Sequence, residues 1–458
     1  MVNLIGALGP ELAFDALWYH LTLPKLYLLM GAIRHIPGGL LYYSDMPKLG
    51  EMLYTLALSL QGEVLAKVFH LLFGALIAGA IYAVSRRHFS KTVALLTAMI
   101  FYANLVVAWE STTAYVDLIR TFFEFLALWS FLLWDESKKK KYFLLSALFV
   151  GAAVTTKLLA LPSICIFALL IIGLGVQEHA SVFTLLKRLA LFTGVSLIVP
   201  LPWFIFSYLN TGNPLYPVFS PLYKTAYHIS LINPVNFILD FLHVLLYSAD
   251  PLNPLYLIVL PLTLLYVRSM SRPLKIVAIY SFLGFMAWYV LPHTGGGRFI
   301  LAYIPAFSIL AGAVLEHVSK QRLVWWTVVS CALFIAVVTV LYRGVANARY
   351  LPVVVGQESK AAFLSAHLNF TYGDFYDTDS YFKTHIKQSD VVLLYGFHNL
   401  YYVNFPFIDA SWVKKGDSFD YIATQHVLPP KRFNALHLVH YDAKTFVSVY
   451  KGKGWMTY

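Results

Sequence analysis

Stretches of roughly twenty apolar residues recur along this chain, and short clusters of Lys and Arg separate them. Inside a bilayer every backbone N–H and C=O must find a partner within the protein, so runs of that length fold as membrane-crossing helices. The composition agrees. Charged residues make up 12% of the 458 positions and hydrophobic ones 59%, where a soluble domain carries about 25% charged residues. The expected class is an all-α multi-pass membrane protein.

Hydropathy places about ten spans, near 64–84, 92–110, 116–134, 143–161, 163–177, 189–209, 253–267, 274–291, 299–317 and 323–342. The basic clusters follow alternate spans: Arg86, Arg87, His88 and Lys91; Lys138 to Lys141; Lys187 and Arg188; Arg268, Arg272 and Lys275; Lys320 and Arg322. All fall on one side, which the positive-inside rule makes cytoplasmic. The net charge of +11 is thus explained by orientation in a membrane, and no nucleic-acid partner is expected. Residues 1–63, 111–115, 210–252, 292–297 and the tail from about 343 then lie on the extracytoplasmic face of the cytoplasmic membrane. Residues 1–14 (MVNLIGALGPELAF) are too short to cross, so a further amino-terminal span is expected upstream.

The outer segments have their own patterns. Residues 15–34 and 44–60 read as amphipathic helices, and 232–249 as a helix in the interface plane. In the tail, strand-like VVLLYGF (391–397) and YIATQHVL (421–428) accompany helix-like QESKAAFLSAHL (357–368). The expected domains are a transmembrane region, 1–342, and a small external α/β domain, 343–458.

Ionisable residues gather at the outer ends of the spans, where they are costly unless paired or functional. Asp117, Arg120 and Glu124 share one helix face, either as a self-neutralising network or as a site. Lys157 sits near a helix end, where it either snorkels or binds an anion. Arg298 follows Gly295-Gly296-Gly297, which has the composition of an anion nest. His20 reads as an interface histidine or a ligand, while Lys25 and Glu51 read as solvated or interfacial. Asp15 lies between Phe14 and Trp18, where an unpaired carboxylate would be desolvated.

Several chemistries lack their motifs. The chain has no P-loop, no HExxH or Cys/His zinc spacing, no GxSxG elbow and no Gly-rich dinucleotide turn. Cys165 and Cys331 both lie in apolar runs and build no disulfide framework. The sequon Asn369-Phe370-Thr371 matters only in a cell that glycosylates secreted proteins.

FDALWYHLTLPKLYLLMGAI, MPKLGEMLYTLAL, AYVDLIRTFFEFLALW, PWFIFSYLNTGNPLYPVF and GGGRFILAYIPAFSILAG occur in this order over roughly residues 10–320. Together they resemble the polyprenyl-phosphate-sugar-dependent glycosyltransferases of the GT-C superfamily, in the protein O-mannosyltransferase-like and aminoarabinose-transferase-like branch. The resemblance implies that Asp15 is the catalytic base, with Asp15-Ala16 standing where relatives carry Asp-Glu. It implies that Lys48, Lys157 and Arg298 contact the donor phosphate, with Glu51 in support; His20, Asp117 and Arg120 stand beside these as further supporting candidates from the charge pattern. The implied partners are a polyprenyl-phosphate-linked sugar donor, a lipid, glycan or protein hydroxyl as acceptor, and membrane lipids. No cofactor is required by that chemistry, and a divalent metal is left open. The competing reading is a membrane transporter or lipid flippase. That class favours charges near the midplane, broken helices and repeated halves.

Overall fold

The structure is a computed structural model, and it describes residues 1–220, 234–248, 250–290, 296–433 and 436–458. The chain divides into two compact units, one of residues 1–7, 46–50 and 67–349 and the other of 8–45, 51–66 and 350–458. The expected boundary at 342/343 differs from this division. Residues 343–348 belong to the helix Arg322–Ala348, and much of the amino-terminal region groups with the tail.

The first unit is a helical membrane bundle. Among the described residues, five helices are long and apolar enough to cross a membrane: Glu63–Ser85, Leu158–Gln177, Arg272–Val290, Leu301–Val318 and Arg322–Ala348. Shorter or bent helices occupy the other expected spans, except that at 116–134, which is the 21-residue helix Asp117–Ser137 with its charged residues. The span expected at 189–209 is two helices, Val182–Ile198 and Leu201–Thr211, bent by 63°. Pro200 and Pro202 explain the break, since each lacks an N–H and its ring opposes a continuous helix. The span expected at 92–110 is also broken, into Lys91–Tyr102 and Leu105–Glu110. Asn104 repairs this gap. Its Nδ2 donates to the carbonyls of Ile100 (3.0 Å) and Phe101 (2.7 Å), and its Oδ1 accepts from the Asn253 N–H at 2.7 Å.

Asp117–Ser137 and Lys140–Thr156 form a helical hairpin through Lys138, whose positive φ of 54° ends the first helix. The second helix stops at Lys157, which turns extended at φ −155°, ψ 127°. Leu301–Val318 is almost wholly buried among its neighbours, so Ala306, Ser308, Ala311 and Gly312 allow close approach.

In the second unit, strands β1 (Val392–Tyr395), β2 (Phe407–Asp409), β3 (Ser418–Gln425), β4 (His437–Asp442) and β5 (Val447–Thr457) form one mixed sheet. The order is β2-β1-β3-β5-β4, with β1 parallel to β2 and β3 and the other pairs antiparallel. The two strand-like segments read from the sequence are β1 and β3. Strand alternation turns Leu393 toward Phe419 and Ile422 on one face. Val392 and Leu394 face the other way, into a core with Tyr19, Leu23, Tyr27, Ile36 and Leu41. This explains the unit's composition: the helix Thr22–Met30 buries its apolar side on the sheet of the tail. Gly31 ends that helix in the left-handed region at φ 61°.

Asp409, at the end of the edge strand β2, is buried, and burial raises its carboxyl to about 6. The folded protein therefore holds this proton more tightly than the unfolded chain, whose ordinary value is 3.8. The associated stability is complete below pH ~4 and is lost as pH rises through ~6. Asp409→Asn should consequently gain on the wild type between pH 4 and 6, by at most about 3 kcal/mol, and keep a constant advantage above pH ~7. Thermal unfolding in detergent across that range measures it, and a pH-independent difference would contradict the assignment.

The interfacial helix expected at 232–249 is described as Pro234–Leu246, while residues 232, 233 and 249 lie outside the described residues. The same holds for 292–295 of the expected outer loop, including Gly295 of the glycine triplet.

Candidate functional site

The acidic segment at the start of the second unit is built by local bonds. The Glu11 carboxylate accepts from the N–H groups of Leu12 and Ala13, each at 2.8 Å. Asp15, half-buried, then precedes a turn of π-helix, Ala16–His20, closed by Leu21 N–H on the Ala16 carbonyl at 2.9 Å. Such wide turns are rare and concentrate at functional sites. Aromatic rings surround the segment. Trp18 donates through Nε1 to the Leu40 carbonyl at 2.9 Å and meets Tyr43 edge-on at 5.1 Å.

His20 and Glu51 are both buried, and His20 Nδ1 donates to Glu51 Oε1 at 2.7 Å. The solvated reading of Glu51 is therefore corrected, because the helix Leu49–Leu60 turns this acid inward onto an imidazole. Lys25 is likewise drawn in. Its ammonium donates to the carbonyls of Tyr401 (2.7 Å) and Val403 (2.6 Å) and to Asn404 Oδ1 (3.1 Å). Desolvation with only neutral acceptors lowers it to about 8.

The first unit holds a separate polar cluster. Because its helix ends in extended backbone, Lys157 reaches across to the first turn of the preceding helix, Asp117–Ser137, and donates to Asp117 Oδ1 at 2.7 Å. An acid in that turn also suits the positive end of the helix dipole. Arg298 enters from another direction. Gly296 has φ 83°, a conformation that favours glycine, and a Cβ there would stand 2.5 Å from Asp250 Oδ1. The bend lets Asp250 accept from the N–H groups of Gly297 and Arg298, each at 3.2 Å. The Arg298 guanidinium then lies 4.8 Å from the Tyr115 ring and 5.3 Å from Phe299. Lys157 Nζ is 5.9 Å from the same Phe299 ring. Two cations thus flank one aromatic side chain.

Glu110 completes the cluster. It is wholly buried and lies within electrostatic reach of Asp117, Arg298, Lys157 and Asp250. His70 Nε2 lies 3.8 Å from its carboxylate. That nitrogen accepts from the Leu118 N–H at 3.0 Å, while Nδ1 donates to the carbonyls of Glu110 and Thr113. The imidazole is therefore neutral and pins the turn between Glu110 and Asp117 rather than pairing with the acid.

Of the residues singled out by sequence in this unit, Asp117, Lys157 and Arg298 are brought together. Arg120 turns away, and its Nε donates to Glu124 Oε1 at 2.9 Å. Glu124 Oε2 also accepts from Ser163 Oγ (2.5 Å) and the Tyr280 hydroxyl (3.3 Å). Lys48 is 1% exposed, its ammonium over the rings of Trp203 (4.4 Å) and Phe206 (4.9 Å). Sequence reasoning passed over Glu110, Asp250, Tyr115 and Phe299. The lone acid ending the apolar run LVVAWE was the one local signal for Glu110. Among the described residues, no group of three or more His, Cys, Asp or Glu side chains is arranged to hold a metal ion.

Residues 45–206 match the model of the family described as dolichyl-phosphate-mannose-protein mannosyltransferase. Among curated proteins, none matches the chain in sequence. The fold is that of ArnT from Cupriavidus metallidurans. The crystal structure of that protein bound to undecaprenyl phosphate superposes with a TM-score of 0.65 at 16% identity, covering 98% of this chain and 95% of that one. Its apo state gives a TM-score of 0.62 at 15% identity, with the same coverage. The oligosaccharyltransferase of Archaeoglobus fulgidus, crystallised with Zn and sulfate, gives 0.51 at 14% identity, covering 93% of this chain and 68% of that one.

Proposed function

We propose that this chain, a glycosyltransferase of the GT-C superfamily, moves a sugar from a polyprenyl-phosphate donor to a hydroxyl acceptor, with inversion and on the extracytoplasmic face. The observation that carries this reading is a fold shared along 98% of the chain with a protein crystallised on undecaprenyl phosphate. The match of residues 45–206 to a family named for a dolichyl-phosphate-linked sugar supports it from the sequence side. Orientation is inferred from the basic loops after alternate spans.

In the proposed reaction the acceptor oxygen attacks the anomeric carbon and its proton passes to the Asp15 carboxylate. The bond from that carbon to the phosphate oxygen breaks, and its electron pair leaves with the phosphate. A lipid phosphate is already a stable anion, so departure calls for positive charge rather than a protonating acid. Lys157 and Arg298 are assigned that work, with Asp117 aiming the lysine and Tyr115 and Phe299 framing the arginine. Lys48 is assigned a further contact with the donor, and His20 and Glu51 support the segment that carries the base. The acceptor is a lipid, glycan or protein hydroxyl.

The test is release of polyprenyl phosphate, followed by mass spectrometry, from a panel of polyprenyl-phosphate sugars mixed with purified protein and candidate acceptors. Release from one donor establishes the reaction class. No release from any donor, with well-folded protein and an acceptor panel, counts against it and favours transport. Arg298→Ala should raise the donor KM by roughly 10- to 100-fold, as befits a lost charge-assisted contact, and leave the acceptor KM within error. An unchanged donor KM would remove Arg298 from the phosphate site.

A further inference from the structure

The loop that follows β1 touches the acidic segment at three places on either side of Asp15. The Tyr402 hydroxyl donates to the Glu11 carbonyl at 2.9 Å. The His398 ring stacks on Phe14 at 4.8 Å, with 26° between the planes, and packs on Trp18 at 4.4 Å. Lys25 then donates to two carbonyls of the same loop, those of Tyr401 and Val403. Phe14 and Trp18 stand one residue before and three residues after Asp15.

We propose that His398, contributed by the carboxy-terminal α/β region, is a positioning residue that holds Asp15 in its reactive orientation. The inference rests on Asp15 being the base. A π-turn has little intrinsic stability, so the direction of a side chain at its start depends on what grips the flanking residues. Here one imidazole grips both. Aromatic pairs add about 0.5–1.5 kcal/mol beyond simple burial, enough to favour one arrangement of a short segment.

The imidazole is itself fixed. His398 Nδ1 donates to Asn399 Oδ1 at 2.9 Å, and Asn399 Nδ2 donates to Asp374 Oδ1 at 2.6 Å. The Asn399 N–H bonds the Gly373 carbonyl at 3.1 Å. Gly373 has φ 89°, and a Cβ on it would come within 2.8 Å of the His398 Cβ. A continuous path therefore runs from Asp374 and Asn399 through His398 to the two rings beside the base. The carboxy-terminal region is in this way a working part of the catalytic apparatus.

The experiment compares His398→Ala, His398→Phe, Phe14→Leu and Asp15→Asn in the full chain, with kcat, donor KM, pH profile and thermal unfolding measured for each. Loss of both ring contacts in His398→Ala should lower kcat by roughly 10- to 100-fold at unchanged donor KM, as expected for a misplaced reacting group. His398→Phe keeps the ring faces and should return kcat to within about threefold of wild type with the same pH profile. Phe14→Leu, which removes one ring only, should lose kcat by an intermediate factor. Normal kcat in both His398→Ala and Phe14→Leu overturns the proposal. So does a His398→Phe variant that folds like wild type yet is as slow as His398→Ala, which would point to the imidazole nitrogens instead. If His398→Ala does not fold, the folded Phe14→Leu and His398→Phe variants decide by the same criteria. Full activity in Asp15→Asn sinks the assignment of the base on which the positioning rests; an inactive Asp15→Asn beside normal His398→Ala and Phe14→Leu sinks only the positioning.

Discussion

Asp15→Asn is expected to lower sugar transfer by roughly 10²- to 10⁴-fold, the range associated with removing a general base. The substitution keeps the size of the side chain and leaves Phe14 and Trp18 on His398, so the π-turn and the fold should survive. What disappears is the capacity to accept the hydroxyl proton as the acceptor attacks. The loss should appear in kcat, with donor KM little changed, because the carboxylate is not assigned to the phosphate. Steady-state kinetics on protein with wild-type unfolding behaviour makes the comparison. Activity within tenfold of wild type would exclude Asp15 as the base. Contrasted with Arg298→Ala, which should act through donor KM, the pair separates proton transfer from leaving-group stabilisation.

The second large effect is on stability. Arg120 and Glu124 are 3% and 0% exposed, and the pair is tied to two further helices through Ser163 and Tyr280. Arg120→Leu would leave the Glu124 carboxylate buried without its cation, a change that costs about 3–5 kcal/mol in comparable pairs. Removing both charges in Arg120→Leu/Glu124→Leu should recover most of that loss, since the desolvation cost vanishes along with the attraction. Thermal unfolding of the two single variants and the double variant closes the cycle. A double variant as unstable as Arg120→Leu alone would show that packing, not charge, dominates at this position. In folded Arg120→Leu the donor KM should stay at its wild-type value. A rise would return Arg120 to the donor site.

These two residues also show what could be read in advance. Asp117, Arg120 and Glu124 stand on one helical face, and the spacing alone allowed either an internal network or a site. The structure divides them: Asp117 goes to Lys157, and Arg120 and Glu124 keep to each other. Lys157 was legible as a cation near a helix end, but not as the extended residue between two helices that reaches Asp117. Lys25 and Glu51 look solvent-facing in sequence, because nothing local announces that a loop near residue 400 and a histidine near residue 20 will cover them.

By itself, the sequence determined the membrane class, the alternation of basic loops, the location of nearly every helix, the strands β1 and β3, and the candidates Asp15, Lys157 and Arg298. All of these follow from hydropathy, charge and order along the chain, which act over a turn or a span and so leave a local trace. Only the tertiary structure decided which acid meets which cation, which rings flank Asp15, and that residues 8–45 and 51–66 share a core with the tail. The physical reason is that periodicity tells which face of an element must be covered, whereas the covering partner is chosen by packing between segments far apart in the chain. His398 against Phe14 and Trp18 is such a choice, made by the position of one loop after one strand.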